Sequence, residues 1–359
     1  MILRLVLLGV LACAAGAQDA PPASPPPSSP PPASGAENNA LAQEVTEKSS
    51  RAVERGLRYI ASEFQPDGSA GTGRYAKNVA ITSLACLALM GEGSLPGRGR
   101  YGQELRRGLE FVLASSDENG LLAAESSHGT MYGHGFATLF LGEVYGMTQG
   151  GGDTELAERN HEVLVKAVRL IERTQNGEGG WRYNPVPHDA DLSVTICQIM
   201  ALRSARNAGI EVDKAVIDKA IAYVRRLRNP DGGFRYQAQL GTSLWPRSAA
   251  GVAALYYAGV YEDDAIEGGL AYVDRMAKPG QPHPQRAHYY YGHYYAVQAM
   301  YLAGGEHWAR WWPAIRDELV SSQLPDGSWE DRAIGSAYAT SMSLIILQMP
   351  NRYLPIFQR

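Results

Sequence analysis

The sequence predicts an all-α fold, one domain of six helix pairs arranged as an (α/α)6 toroid in which six inner helices are wrapped by six outer ones. Three observations carry this expectation. A pattern of fixed internal spacing recurs six times, with its small residues roughly 50 positions apart. Each clear copy contains a Gly-bearing turn, and each turn separates an amphipathic helix from one that is apolar on nearly all sides.

The pattern is a basic residue and a small one, an aromatic or aliphatic pair, a Gln, then Gly-x-Trp. Lys166-Ala167, Leu170-Ile171, Gln175, Gly179 and Trp181 give it in full. Lys219-Ala220, Tyr223-Val224, Arg228, Gly232 and Phe234 keep the spacing without gaps. So do Arg55-Gly56, Tyr59-Ile60, Phe64 and Gly68, and Arg107-Gly108, Phe111-Val112, Ser116 and Gly120. Leu319, Gln323, Gly327 and Trp329 form a late copy, and Gly269, Tyr272 and Val273 open a worn one.

Each first helix is amphipathic: Ile217, Ala220, Ile221 and Val224 share one face, while Lys219, Arg225 and Arg226 take the other. Gln65-Pro66-Asp67-Gly68, Asn229-Pro230-Asp231-Gly232 and Leu324-Pro325-Asp326-Gly327 then stop it, with Pro where the helix loses an amide and Gly where φ turns positive. Second helices over 79–90, 193–205, 249–258 and 341–349 have no polar face and must be buried all round. A closed ring buries them without capping repeats. Open superhelices of helix pairs repeat instead at about 34 to 47 residues.

Before the ring come two other segments. Arg4, the apolar run 5–12 and Ala15-Gly16-Ala17 have the layout of a secretory signal peptide over residues 1–17, so the chain is expected to be exported to a periplasmic or extracellular space. Val10-Leu11-Ala12-Cys13 also resembles a bacterial lipobox, which leaves lipid anchoring at Cys13 beside simple cleavage after Ala17. Residues 18–40 form a linker, with Pro, Ser and Ala dominating 21–36; such a composition favours extended, disordered chain and cannot bury a core. The toroid is assigned to 41–359.

Hydrophobic residues make up 45% of the chain, enough for a large core. A net charge of −4 without a run of Lys or Arg implies neither nucleic acid nor an anionic membrane surface as partner. No stretch reaches the roughly 18 to 20 apolar residues of a transmembrane span. Cys86 and Cys197 lie in apolar helical patterns and read as small buried hydrophobes; a ligand role for Cys197 is the alternative.

On these residues the chain resembles the prenyltransferase and squalene oxidase repeat proteins. Its template is similar to the QW repeat of squalene-hopene and related terpene cyclases, and Gly-Gly-Trp and Gly-Gly-Phe turns recur in protein prenyltransferase β subunits. The resemblance spans the whole ring and is specific for fold more than for chemistry.

In such a ring the inner helices run parallel, so their N-termini and positive dipole ends gather at one mouth. His128, His134, His188, His283, His288 and His293, six of the eight histidines, fall near those starts. Class II terpene cyclases place an Asp-x-Asp-Asp acid motif at an inner-helix start, where the middle carboxyl, kept protonated by its setting, donates a proton to an alkene. The resemblance therefore makes His188, Asp189 and Asp191 catalytic candidates, although Leu192 stands where the last carboxylate belongs. Prenyltransferases hold zinc there with Asp-x-Cys and a distant His. Here Ser193 replaces the thiolate, and a mixed oxygen and nitrogen site for a divalent metal is drawn from Asp191, His134 and His293.

Each has a plainer reading. Asp191 fits a helix N-cap, and the two histidines, flanked by Gly133, Gly135 and Gly292, fit packing groups. Arg247 and Trp245 open the fourth inner helix; Arg247 suits a phosphate or carboxylate, or pairing with Asp191. Tyr132, Tyr291, Tyr294 and Tyr338, with the neighbouring tyrosines 289, 290 and 295, are candidate walls for a prenyl chain or a sugar face.

Three functions stand at this point. One is binding or processing of a hydrophobic, isoprenoid-like small molecule in the central cavity. A second is a non-catalytic scaffold for an exported protein or a polymer. The third is a carbohydrate-active (α/α)6 enzyme, which needs two carboxylates facing one cavity, for which Asp189 and Asp191 are the only clustered pair.

Overall fold

A computed structural model describes residues 44–124, 129–148, 153–239, 241–280 and 288–358. The leader, Cys13, the linker, His128 and His283 lie outside the described residues. The described residues hold twelve α-helices in alternating roles. The outer set is α1 (Glu47–Ser62), α3 (Gly102–Ala114), α5 (Thr154–Arg173), α7 (Lys214–Arg226), α9 (Asp264–Met276) and α11 (Gly305–Ser322). The inner set is α2 (Val79–Met90), α4 (Thr130–Thr148), α6 (Leu192–Asn207), α8 (Trp245–Tyr257), α10 (Tyr289–Ala303) and α12 (Ser336–Leu347).

Burial separates the two sets as the patterns predict. In α2, eleven of twelve residues are buried, from Val79 to Met90 with Ala80 the exception, whereas α7 buries only Val216, Ala220, Tyr223 and Val224. Each inner helix packs on the next and α12 packs on α2, so the inner layer closes; outside it α11 packs on α1. Two starts differ from the apolar runs: α8 begins at Trp245 and α12 at Ser336. Pro246 is accommodated in the first turn of α8, where no amide is needed.

The recurring residues explain themselves as joints between neighbouring copies. Gly179 has φ +99°, and a Cβ on it would come within 2.2 Å of the Lys219 carbonyl of the next outer helix. Gln175 reinforces that joint, its Nε2 donating to the Val216 carbonyl at 2.8 Å and to Gly179 at 3.0 Å. The ring closes by the same device. Gly327, φ +93°, abuts the Arg55 carbonyl, and Gln323 Nε2 donates to Ala52 and to Gly327, both at 2.8 Å. The indole N–H of Trp181 and of Trp329 returns to the preceding helix, at Ile171 (2.7 Å) and Leu319 (2.9 Å).

One further bond ties four of the turns to their inner helices. The backbone N–H of Ala70, Trp181, Phe234 and Trp329 donates to Thr82, Thr195, Ser248 and Thr340 at 2.8–3.1 Å. These hydroxyls sit at equivalent heights, which fixes the register of the inner ring. Two residues earlier on each helix stand Ala80, Ser193, Pro246 and Tyr338.

Candidate functional site

That register selects the wall of a cavity. At the mouth where the inner helices begin lies a space of about 540 Å³. Tyr132 of α4, Tyr291 of α10, Ala80 of α2 and Tyr338 of α12 line it, all from one ring position. Ile81, Leu84, Phe136 and Met342 continue the wall inward. Tyr75, Tyr183, His288 and Ile334 border it from the loops and helix starts, and no carboxylate is among its lining residues. The lining is mostly apolar, with phenol hydroxyls, the Asn78 amide and the His288 imidazole, a composition that takes a hydrocarbon carrying few polar groups.

Beside this cavity sits a polar cluster. Asp191 is the N-cap of α6, its Oδ1 accepting from the Val194 amide at 3.0 Å, and it is fully buried. Its Oδ2 lies 3.8 Å from Arg182 Nε and makes no well-formed hydrogen bond. Burial pushes the carboxyl up to about 6, against the opposing pull of the Val194 amide, the Tyr236 hydroxyl and the Arg182 guanidinium. Arg182 also donates to Asp189 Oδ2 at 2.6 Å, and its guanidinium lies over Tyr183 and Tyr236, 5.0 and 5.9 Å from the ring centres. The Tyr183 and Tyr236 hydroxyls share a hydrogen bond. A polar line thus runs from Asp191 past Tyr236 to Tyr183 on the cavity wall. Tyr183 can present a hydrogen bond from the cavity wall to a ligand there.

Arg247 completes this side. It lies over the Tyr236 ring at 5.9 Å, and its Nη2 donates to the Thr242 carbonyl at 2.8 Å. Partial burial lowers its pKa, an unfavourable setting that an anion would relieve. The arginine that faces Asp191 is Arg182, so the expected pairing of Arg247 with Asp191 is corrected.

Other candidates fall elsewhere. His134 is fully buried; its Nδ1 accepts from the Leu122 amide at 3.1 Å, and its Nε2–H donates to the Ala167 carbonyl of α5 at 3.2 Å. It does for the second copy what the Thr and Ser hydroxyls do for the first, third, fourth and sixth. Burial lowers its pKa to about 4, which keeps it neutral. His293 is packed among Tyr289, Trp245 and Trp311, with ring centres 4.5, 4.9 and 5.9 Å away. Trp311 belongs to α11, so this histidine too is committed to the joint between layers. The metal site drawn from Asp191, His134 and His293 is therefore not assembled, and no group of three His, Cys, Asp or Glu suited to a metal occurs among the described residues.

Trp245 lies against Gly292, where a Cβ would come within 2.2 Å of the indole, and it is not among the cavity residues. Tyr294 is fully buried beneath the cavity against Phe136, 6.2 Å between ring centres. His188 is largely exposed, and Asp189 belongs to the arginine cluster on the rim. Cys86 and Cys197 are buried free thiols, and burial pushes Cys197 up to about 12.

Tyr75, Tyr183 and Tyr236 are not among the candidates drawn from the sequence, although Trp181-Arg182-Tyr183 stands just ahead of the acidic pair. A signal for two of them was available: Trp181-Arg182-Tyr183 and Phe234-Arg235-Tyr236 are the same tripeptide pattern after the same turn. Nor is Glu143, the only acid in the apolar stretch 130–148, among those candidates.

No protein-family model and no curated protein matches the chain in sequence. Solved structures match it in fold. The type II terpene cyclase MstE from Scytonema aligns over 86% of this chain and 100% of its own, with a TM-score of 0.58 at 15% identity. A variant of that enzyme has been solved with geranylgeranyl dihydroxybenzoate, its substrate. An α-1,6-mannanase of Salegentibacter covers 84% of this chain and 98% of its own, with a TM-score of 0.62 at 8% identity. A D-mannose isomerase covers 86% and 98%, with a TM-score of 0.61 at 11% identity. At such identities what is shared is the α/α toroid, and it is shared with terpenoid and sugar enzymes alike.

Proposed function

We propose that this protein binds an isoprenoid-like amphiphile, its hydrocarbon in the tyrosine-walled cavity and its polar or anionic head at the rim beside Arg247 and Arg182. The observation that carries the reading is the lining itself. Apolar side chains and phenols, with Asn78 and His288 beside them, surround about 540 Å³ without a carboxylate, and two guanidiniums lie over Tyr236 next to it. A chain of five-carbon units gains about 0.8 kcal/mol per buried CH2, and a phosphate or carboxylate gains a charge-assisted bond from Arg247. Sugar processing fits less well, because both candidate carboxylates, Asp189 and Asp191, face Arg182 and neither lines the cavity. The reading takes the chain to be exported, on the strength of the leader at 1–17.

The test is calorimetric titration with farnesyl phosphate and with farnesol. Both bind, and the phosphate binds more tightly. Arg247→Ala removes about 1.5–3 kcal/mol, roughly 10- to 100-fold, from the phosphate and leaves the alcohol unchanged. Absence of binding by both compounds overturns the proposal.

A further inference from the structure

The end of the ring away from the mouth is sealed by the chain's own tail. After α12 it passes through two short 3-10 segments, Met349–Asn351 and Pro355–Phe357. The second packs against α4 and α6, with Leu354, Ile356 and Phe357 buried. Glu143 of α4, only 1% exposed, holds it there. This carboxylate accepts from the Ser204 hydroxyl of α6 at 2.7 Å and from the Ile356 backbone N–H at 3.0 Å.

No cation is among the groups that act on Glu143. Its charge would reach Tyr257 of α8, whose hydroxyl donates to Gln298 of α10 at 2.6 Å, and Tyr294 of α10, both neutral phenols. Arg203 of α6 acts on Tyr257. Two neutral donors do not replace the water that an ionised carboxylate loses on burial. Burial accordingly pushes Glu143 up to about 7.

We propose that Glu143 makes the C-terminal tail a proton-dependent latch: with the carboxyl neutral the tail stays docked in the closed end of the ring, and ionisation lifts it and admits water. Lifting the tail solvates Glu143 and returns it toward its ordinary 4.5, whereas docking holds it near 7. Docking is therefore strongest below about pH 4.5. The opening constant rises by up to about tenfold per pH unit from there to about 7, then levels off.

The experiment is hydrogen exchange on the full chain between pH 4.5 and 8, corrected for the intrinsic pH dependence of exchange. Inner-ring amides of α8 report global opening for comparison. In the wild type the Ile356 and Phe357 amides exchange faster than those of α8, and their protection falls with pH up to about 7. In Glu143→Gln the tail's protection is independent of pH. Ser204→Ala, which removes a donor and keeps the carboxyl, moves the falling window to higher pH, and this decides the matter if Glu143→Gln does not fold. Flat protection in the wild type, an undiminished slope in Glu143→Gln, or an unmoved window in Ser204→Ala overturns the latch.

Discussion

Filling the cavity from Gly133 separates binding from folding. Gly133 lies on α4 and lines the cavity, and a Cβ built on it meets nothing closer than 3.8 Å. Gly133→Phe therefore adds a side chain where there is room for one. Two effects follow with opposite signs. Replacing a helical Gly stabilises by about 0.5–1 kcal/mol, less whatever β-propensity Phe subtracts, so the variant should melt no lower than the wild type. A phenyl ring takes roughly the space of one five-carbon unit, which at about 0.8 kcal/mol per CH2 removes about 3–4 kcal/mol from ligand burial. That is a loss of several hundred-fold in affinity. A thermal scan beside a titration with farnesol reads both. A variant that melts normally and binds farnesol as the wild type does refutes a ligand in this cavity.

Two other perturbations address the scaffold. The fold holds Asp191 protonated up to about pH 6, while its ordinary carboxyl ionises near 3.8, so its own contribution to wild-type stability declines as pH rises from about 4 to about 6 and is constant above. Asp191→Asn keeps the N-cap and flattens that decline, whereas Asp191→Ala loses about 1 kcal/mol of capping at any pH; urea unfolding at pH 4 and pH 7 distinguishes them. Gln323→Ala deletes the bond that joins the last turn to Ala52 of α1 and the one that braces that turn at Gly327, and should cost about 1–3 kcal/mol by urea unfolding, with a comparable cost for Gln175→Ala. A negligible effect at Gln323 alone would mean that the ring does not depend on its closing joint.

The ring was legible because its residues act at short range and repeat. A Gly that must adopt positive φ, a Gln that reaches the next outer helix and a Trp that returns its N–H to the preceding one impose a spacing that can be counted. Side-chain direction within the inner helices was less legible. Those helices are buried all round, so apolar periodicity cannot tell the face toward the axis from the face toward the outer layer. His134 and His293 look like ligands by composition yet point into the joints, whereas Tyr132, Tyr291 and Tyr338 face the cavity. The hydroxyl register resolves them: His134 takes the Thr82 and Thr195 position, and the tyrosines come two residues earlier. Asp191 combines both situations. Its cap is a local matter visible in the sequence, while its raised pKa depends on burial beside Arg182 and Tyr236, which arrive from separate turns.

The most direct test of the binding account is native mass spectrometry of the protein as purified, wild type beside Gly133→Phe. The account predicts a lipid of isoprenoid mass released from the wild type, or taken up by it from an added polyprenyl phosphate, and absent from the variant. Equal occupancy of the two proteins, or an empty wild type in the presence of excess polyprenyl phosphate, contradicts it.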